Sequence, residues 1–311
     1  MDDLARFEVF ARLATEQRNP RTFDLDMLDV LGVLERISAE DHTVPAAVEK
    51  EMPHITQAVE LVVASFREGG RLIYVGAGTS GRLGVLDASE CPPTFGSDPE
   101  MVQGVMAGGN GALVRAVEGA EDRAEEGEQA MLERNVGPTD TVIGLAASRR
   151  TPFVVAALGK ARALGARTAY VTCTPRAEFR LDVDVAICPE VGPEVVMGST
   201  RMKSGTAQKL VLNMITTAAF VRMGKVYENM MVDLMATSQK LVERSRRTVM
   251  TVTGVDYETA AQAIDEAGRS VKTAIVMLRV RCSRAEAEAR LGRAGGFVRR
   301  AIEAPASGGG A

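Results

Sequence analysis

The chain has 311 residues, 46% hydrophobic and 25% charged, which is enough apolar material for one main domain with smaller additions. Its net charge of −4, with Lys and Arg scattered rather than striped, excludes the electrostatic footprint of a nucleic-acid or anionic-membrane binder. No apolar run approaches the ~20 residues needed to cross a bilayer, and the acidic start Met1-Asp2-Asp3 does not read as a leader, so a cytoplasmic protein is expected.

Residues 1–45 are polar and rich in turn formers, with Asn19-Pro20 and Val44-Pro45 as boundaries, and predict an arm that packs on the main body or on a neighbouring subunit. From Ala46 to Phe66, the apolar positions Val48, Met52, Ile55, Val59, Val62 and Val63 recur at a helical period, with a kink or restart expected at Pro53. Short apolar runs then follow at Leu72–Val75, Val102–Met106, Thr141–Ala146, Thr168–Thr172 and Val183–Ile187. Separated by helix-like segments, they predict an α/β fold with a doubly wound, five-stranded parallel sheet and ligand loops at the carboxyl ends of its strands. Met202–Arg222 predicts a helix, apolar almost all round from Leu210 to Val221 and therefore buried in the core or in a subunit interface. Val226–Val249 predicts a second helix, broken at Thr253-Gly254. Tyr257–Ala267, Val271–Leu278, Ser283–Leu291 and Phe297–Ile302 predict a small helical appendage, and Pro305–Ala311 a disordered tail. The expected organisation is an arm over 1–45, a ligand-binding α/β domain over 46–251, a helical domain over 252–303 and a tail over 304–311.

Gly76-Ala77-Gly78-Thr79-Ser80-Gly81-Arg82 joins the first strand to a helix-compatible segment. Glycines there let the backbone approach a ligand closely, and the helix N-terminus with its free N–H groups favours an anion. The spacing matches neither a dinucleotide fingerprint nor a Walker loop. Its hydroxyls suit a sugar phosphate. A second strand-to-helix loop reads Ser148-Arg149-Arg150-Thr151-Pro152, and Gly198-Ser199-Thr200-Arg201-Met202-Lys203-Ser204 opens the long helix with further hydroxyls and two cations. Each is also what a helix cap looks like. Glu90 stands before Pro92-Pro93, where the first-loop helix should end, and Glu118, Glu121 and Asp122 form an acidic cluster downstream of Gly108-Gly109. Cys91, Cys173, Cys188 and Cys282 form no C-x-x-C, and His42 and His54 are the only histidines. Reduced, buried thiols and no metal site or cofactor are expected.

Thr15-Glu16-Gln17-Arg18-Asn19-Pro20, the stretch from Gly76 to Gly96, Val117–Asp122, Val191-Gly192-Pro193-Glu194-Val195 and Gly198 through Met214 together resemble the N-acetylmuramic acid 6-phosphate etherases, over residues 15 to about 303. The resemblance implies a sugar isomerase (SIS) domain, a C-terminal domain similar to UBA domains, and a homodimer with the active site at the shared interface. It implies a cofactor-free cytoplasmic lyase of cell-wall recycling that converts N-acetylmuramic acid 6-phosphate and water to N-acetylglucosamine 6-phosphate and D-lactate. Glu90 matches the family's general acid and Glu121 its second acid/base. Thr79, Ser80, Gly81, Arg82, Ser148, Thr151, Ser199, Thr200 and Lys203 fall where the phosphosugar is expected. One departure stands out: the family's second loop reads Ser-Gly-Arg-Thr, and here Arg149 replaces the glycine. Two other readings share the fold. An aldose–ketose isomerase often opens the sugar ring with a histidine, whereas His42 and His54 both precede the first strand. A non-catalytic phosphosugar sensor, as in the related glucokinase regulatory protein, would release no lactate.

Overall fold

The computed structural model describes residues 11, 13–148, 151–234 and 238–304. The expectations for Arg149 and for the tail lie outside the described residues. The chain divides into two compact units, one gathering residues up to Ser89 with Glu100–Thr216, the other Glu90–Pro99 with the residues from Thr217 onward.

In the first unit the arm forms short 3-10 turns at Ala14–Glu16, Pro20–Thr22 and Leu25–Met27, then helix α1 (Val30–Asp41), whose first turn is capped by the Asp29 carboxylate accepting from the Gly32 N–H. The helix expected from Ala46 is two helices, α2 (Val44–Glu49) and α3 (Met52–Arg67), with Pro53 in the first turn of the second. Proline fits there because the first-turn N–H groups have no helical acceptor. Five parallel strands follow: β1 (Leu72–Gly76), β2 (Val102–Met106), β3 (Thr141–Leu145), β4 (Arg167–Val171) and β5 (Val185–Ile187), in the order β2-β1-β3-β4-β5. Leu72 pairs in register with Val102 on one side and Thr141 on the other. All five residues of β1 and of β3 are buried, as befits strands covered on both faces. On one face Ile73, Val75 and Val142 join the apolar cluster that includes Met131 of α5 (Ala124–Glu133) and Phe153, Val154 and Ala157 of α6 (Pro152–Ala163). On the other, α4 (Gly78–Phe95) lies so close at Gly84 that a Cβ there would stand 2.9 Å from Tyr74 Cβ. The doubly wound expectation holds, and reversal of strand order beside β1 opens a crevice at the strands' carboxyl ends.

The second unit is helical. α8 (Gln239–Thr253), α9 (Tyr257–Glu266), α10 (Val271–Val280), α11 (Arg284–Arg293) and α12 (Val298–Glu303) follow α7 (Lys203–Arg222), and Val249, Ile264, Ile275, Leu291 and Val298 share one apolar cluster. Because Val249 and Val232 belong to that cluster, the helical unit starts well before residue 252, where composition placed its boundary.

Two local expectations are corrected. Val226–Val249 is not one helix: β6 (Val226–Tyr227) and β7 (Met230–Met231) form a hairpin, and α8 starts only after Ser238 caps it by accepting from the Leu241 N–H. The turn is Glu228-Asn229, with Glu228 at φ 54°, the left-handed backbone of a two-residue hairpin loop. Nor does α4 end before its prolines. It runs through Pro92 and Pro93 to Phe95, whose ring stacks on Phe220 at 4.6 Å.

Candidate active site

At the carboxyl end of β1, the strand and the first turn of α4 touch. A Cβ on Gly81 would stand 2.6 Å from the Gly76 carbonyl oxygen and 2.5 Å from Met106 Sδ, so only glycine admits this approach. Beside it stand Gly78, exposed, Thr79, half-buried, and Ser80, buried, with first-turn N–H groups that no helical carbonyl can satisfy. The end of β3 is held comparably: the Ala147 carbonyl accepts from the Thr172 hydroxyl at 3.1 Å, and the Ser148 carbonyl from the Tyr170 hydroxyl at 3.1 Å. Thr151, at the N-cap of α6, makes no side-chain cap bond, leaving its hydroxyl for another partner.

These two loops wall a cavity of about 380 Å³, within the size range of small-molecule sites. Thr79, Ser80, Ser148, Thr151 and Thr200 line it, with Thr15, Glu16, Glu121 and Asp122. It joins hydroxyl donors on two strand ends to carboxylates from two other segments. A smaller cavity of about 170 Å³ holds Arg82 and Glu118, and shares Gly78 and Glu121 with the first.

The remaining expected site residues lie elsewhere. Gly81 is buried behind the loop. Arg82 spends its guanidinium on the Ala112 and Leu113 carbonyls, at 2.7 and 2.9 Å, bracing the loop that leads to Glu121. Ser199 lines neither cavity. Glu90 is exposed, lines neither cavity and falls in the second compact unit.

Lys203 is a correction. Its side chain is fully buried and its Nζ donates to Glu40 Oε2 at 2.6 Å and to the Val191 carbonyl at 2.8 Å, so the cation supports the fold rather than facing the cavity. Around it lies a polar knot. Arg21 forks onto Glu40, Asn19 Nδ2 donates to the Pro193 carbonyl at 3.2 Å, and the Thr22 hydroxyl donates to the Val195 carbonyl at 2.9 Å. Buried Glu194 accepts from the Lys203 and Ser204 N–H groups, both at 2.9 Å, neutralising the N-terminus of α7. The Arg21 guanidinium, with Lys203 and Asn19, holds the Glu40 carboxyl down at about 2 against the burial that would raise it.

The knot fastens the arm where it passes the cavity. Gly198, at φ 76°, donates its N–H to the Thr15 carbonyl at 3.2 Å, and a Cβ on it would come within 3.2 Å of Glu16 Oε2. Glu16 thus enters the wall. Sequence analysis placed Glu16 in the polar arm and in the Thr15–Pro20 stretch that carried the resemblance, but not among the site residues. Gln208 was missed too: it is 1% exposed, and its Oε1 accepts the Ser80 hydroxyl at 2.8 Å.

Among the described residues no group of three or more His, Cys, Asp or Glu side chains could hold a metal ion, and no helix is long and apolar enough to cross a membrane. Burial pushes the thiols of Cys173 and Cys188 up, to about 12 and about 11, which favours their protonated form.

Comparison with known proteins adds three findings. The glucokinase regulatory protein N-terminal SIS domain matches residues 54–162. A phosphoheptose isomerase structure from Francisella tularensis covers 61% of this chain and 98% of its own, at 15% identity and a TM-score of 0.46. The N-acetylmuramic acid 6-phosphate etherase of Bacillus cereus is 52% identical over 93% of this chain and 99% of its own, and that of Salinibacter ruber is 60% identical over 97% of each. Identity of that degree across nearly the whole of both chains shows the family: this chain belongs to the N-acetylmuramic acid 6-phosphate etherases.

Proposed function

We propose that the chain cleaves the D-lactyl ether of N-acetylmuramic acid 6-phosphate with water, giving N-acetylglucosamine 6-phosphate and D-lactate in cytoplasmic peptidoglycan recycling. The single observation that carries this reading is the 380 Å³ cavity, where hydroxyls from two strand-end loops face carboxylates. Thr79, Ser80, Ser148 and Thr151 hold the phosphate by charge-assisted hydrogen bonds, with first-turn N–H groups of α4 behind them.

Lactate leaves by elimination. In the open-chain sugar the C1 aldehyde acidifies the C2 proton; a carboxylate takes it, the C3–O bond breaks, and a protonated carboxyl group delivers its proton to the departing ether oxygen. Water then adds across the C2–C3 double bond, hydroxyl to C3 and proton to C2. Glu121, on the cavity wall, serves as base or water activator, and Glu90 as the acid. Glu90 does not line the cavity of its own chain, and a homodimer with the active site at the shared interface gives it a route in. Neither histidine lines the cavity, which favours this reading over an aldose–ketose isomerase that opens the ring with imidazole.

Incubation with N-acetylmuramic acid 6-phosphate in deuterated, 18O-labelled water tests the proposal. D-lactate should appear, with deuterium at C2 and solvent oxygen at C3 of the sugar product. Solvent oxygen in the lactate would mean displacement at the lactyl carbon, and no lactate at all would leave the isomerase or the non-catalytic binding protein.

A further inference from the structure

The Ser80 hydroxyl lines the cavity and at the same time lies 2.8 Å from Gln208 Oε1, to which it donates. A serine has one proton to give. Committed to Gln208, that proton is lost to a phosphate, whose ionised oxygens only accept, and the two oxygens would meet lone pair to lone pair. The other end of the same amide shows the way out. Gln208 Nε2 is buried and has no hydrogen-bond partner among the described residues, a costly state for an N–H donor. A half-turn of the terminal amide exchanges its oxygen and nitrogen in nearly the same volume. Nε2 then donates to Ser80 Oγ, the orphaned donor is satisfied, and the Ser80 O–H is released into the cavity.

We propose that Gln208 is a positioning residue for phosphate recognition: its amide reverses when the phosphorylated sugar binds, converting Ser80 from a donor to Gln208 into a donor to the phosphate. The Ser80–Gln208 pair thereby discriminates phosphorylated from unphosphorylated sugar, because only an ionised acceptor in the cavity favours the reversed amide. This rests on the reading of Ser80 as a phosphate anchor.

The test is calorimetric binding of N-acetylglucosamine 6-phosphate and of unphosphorylated N-acetylglucosamine to the full chain and to Ser80→Ala, Gln208→Leu, Gln208→Glu and the double variant Ser80→Ala/Gln208→Leu, with folding followed by circular dichroism. Wild type should bind the phosphorylated sugar far more tightly. Gln208→Leu, which removes the donor, should weaken that binding about 5- to 20-fold and leave the unphosphorylated sugar unchanged. Gln208→Glu should weaken it further, since a carboxylate holds the Ser80 proton permanently. In the Ser80→Ala background, Gln208→Leu should add less than a twofold effect. An additive effect there, or equal losses for both sugars, overturns the positioning role while leaving Ser80 as an anchor. A wild type blind to the phosphate removes the anchor reading, and the proposal falls with it. If Gln208→Glu fails to fold, Gln208→Leu alone decides.

Discussion

Replacing Glu40 by Gln tests the knot that holds the arm. The Lys203 ammonium is fully buried, with Glu40 Oε2 at 2.6 Å and one carbonyl as its partners. A glutamine keeps a hydrogen-bond acceptor there but removes the charge that makes a buried ammonium tolerable. Breaking a buried pair from one side costs about 3–5 kcal/mol. The Arg21 half adds little, because that guanidinium is 60% exposed and rehydrates when released. With Glu194 on the neighbouring amides offsetting part of the loss, about 3 kcal/mol is expected. At a urea slope of about 3 kcal/mol/M this lowers the unfolding midpoint by about 1 M at unchanged slope, read by circular dichroism. The double variant Glu40→Leu/Lys203→Met, which removes both charges, should recover most of it. A Glu40→Gln midpoint within 0.3 M of wild type (about 1 kcal/mol at that slope) would refute the reasoning, since it would mean that the Lys203–Glu40 pair contributes little to stability.

The same carboxyl sets an acid limit: because its folded pKa is lowered from 4.5 to about 2, its contribution is complete above about pH 4.5 and is lost as pH falls towards 2, so Glu40→Gln should flatten the acid limb of a stability–pH curve. Gly81→Ala places a Cβ 2.6 Å from a backbone oxygen, and should cost about 1–3 kcal/mol, seen as a lower melting temperature together with loss of phosphosugar affinity. Ser148→Ala should weaken substrate binding by about 1–3 kcal/mol in KM, and an unchanged KM would take the second loop out of the phosphate site. Glu90→Gln should lose most lactate release while still binding the phosphosugar, whereas Glu121→Gln should slow deuterium entry at C2 or hydration; normal turnover in either removes that residue from the mechanism.

The sheet was legible because β1 and β3 are buried along their whole length and the other strands each carry a short, mostly buried apolar stretch, and the two hydroxyl-bearing loops follow directly from where β1 and β3 end. Thr79, Ser80, Ser148, Thr151, Thr200 and Glu121 could therefore be placed at one cavity from spacing and resemblance. Lys203 could not. A lysine in a hydroxyl-rich helix start looks like an anion ligand, and its counter-charge lies 163 residues away, beyond any local pattern. Gln208 was invisible for a related reason: its partner Ser80 is 128 positions distant, and one amide in a long helix carries no periodic signal. The hairpin at Val226–Met231 was hidden because strands of two residues are too short for alternation to register.

The fastening of the arm also sets an order of events during folding. Asn19 meets Pro193 and Thr22 meets Val195 across separations of 174 and 173 residues. Closing a loop of that length in a disordered chain costs about 4–5 kcal/mol in entropy alone, too much for a few hydrogen bonds to meet before the intervening sheet has shortened the path. The loop-closure cost therefore favours an arm that seats after the sheet has formed, so the Glu16 wall of the cavity should be completed later than the strand-end loops it faces.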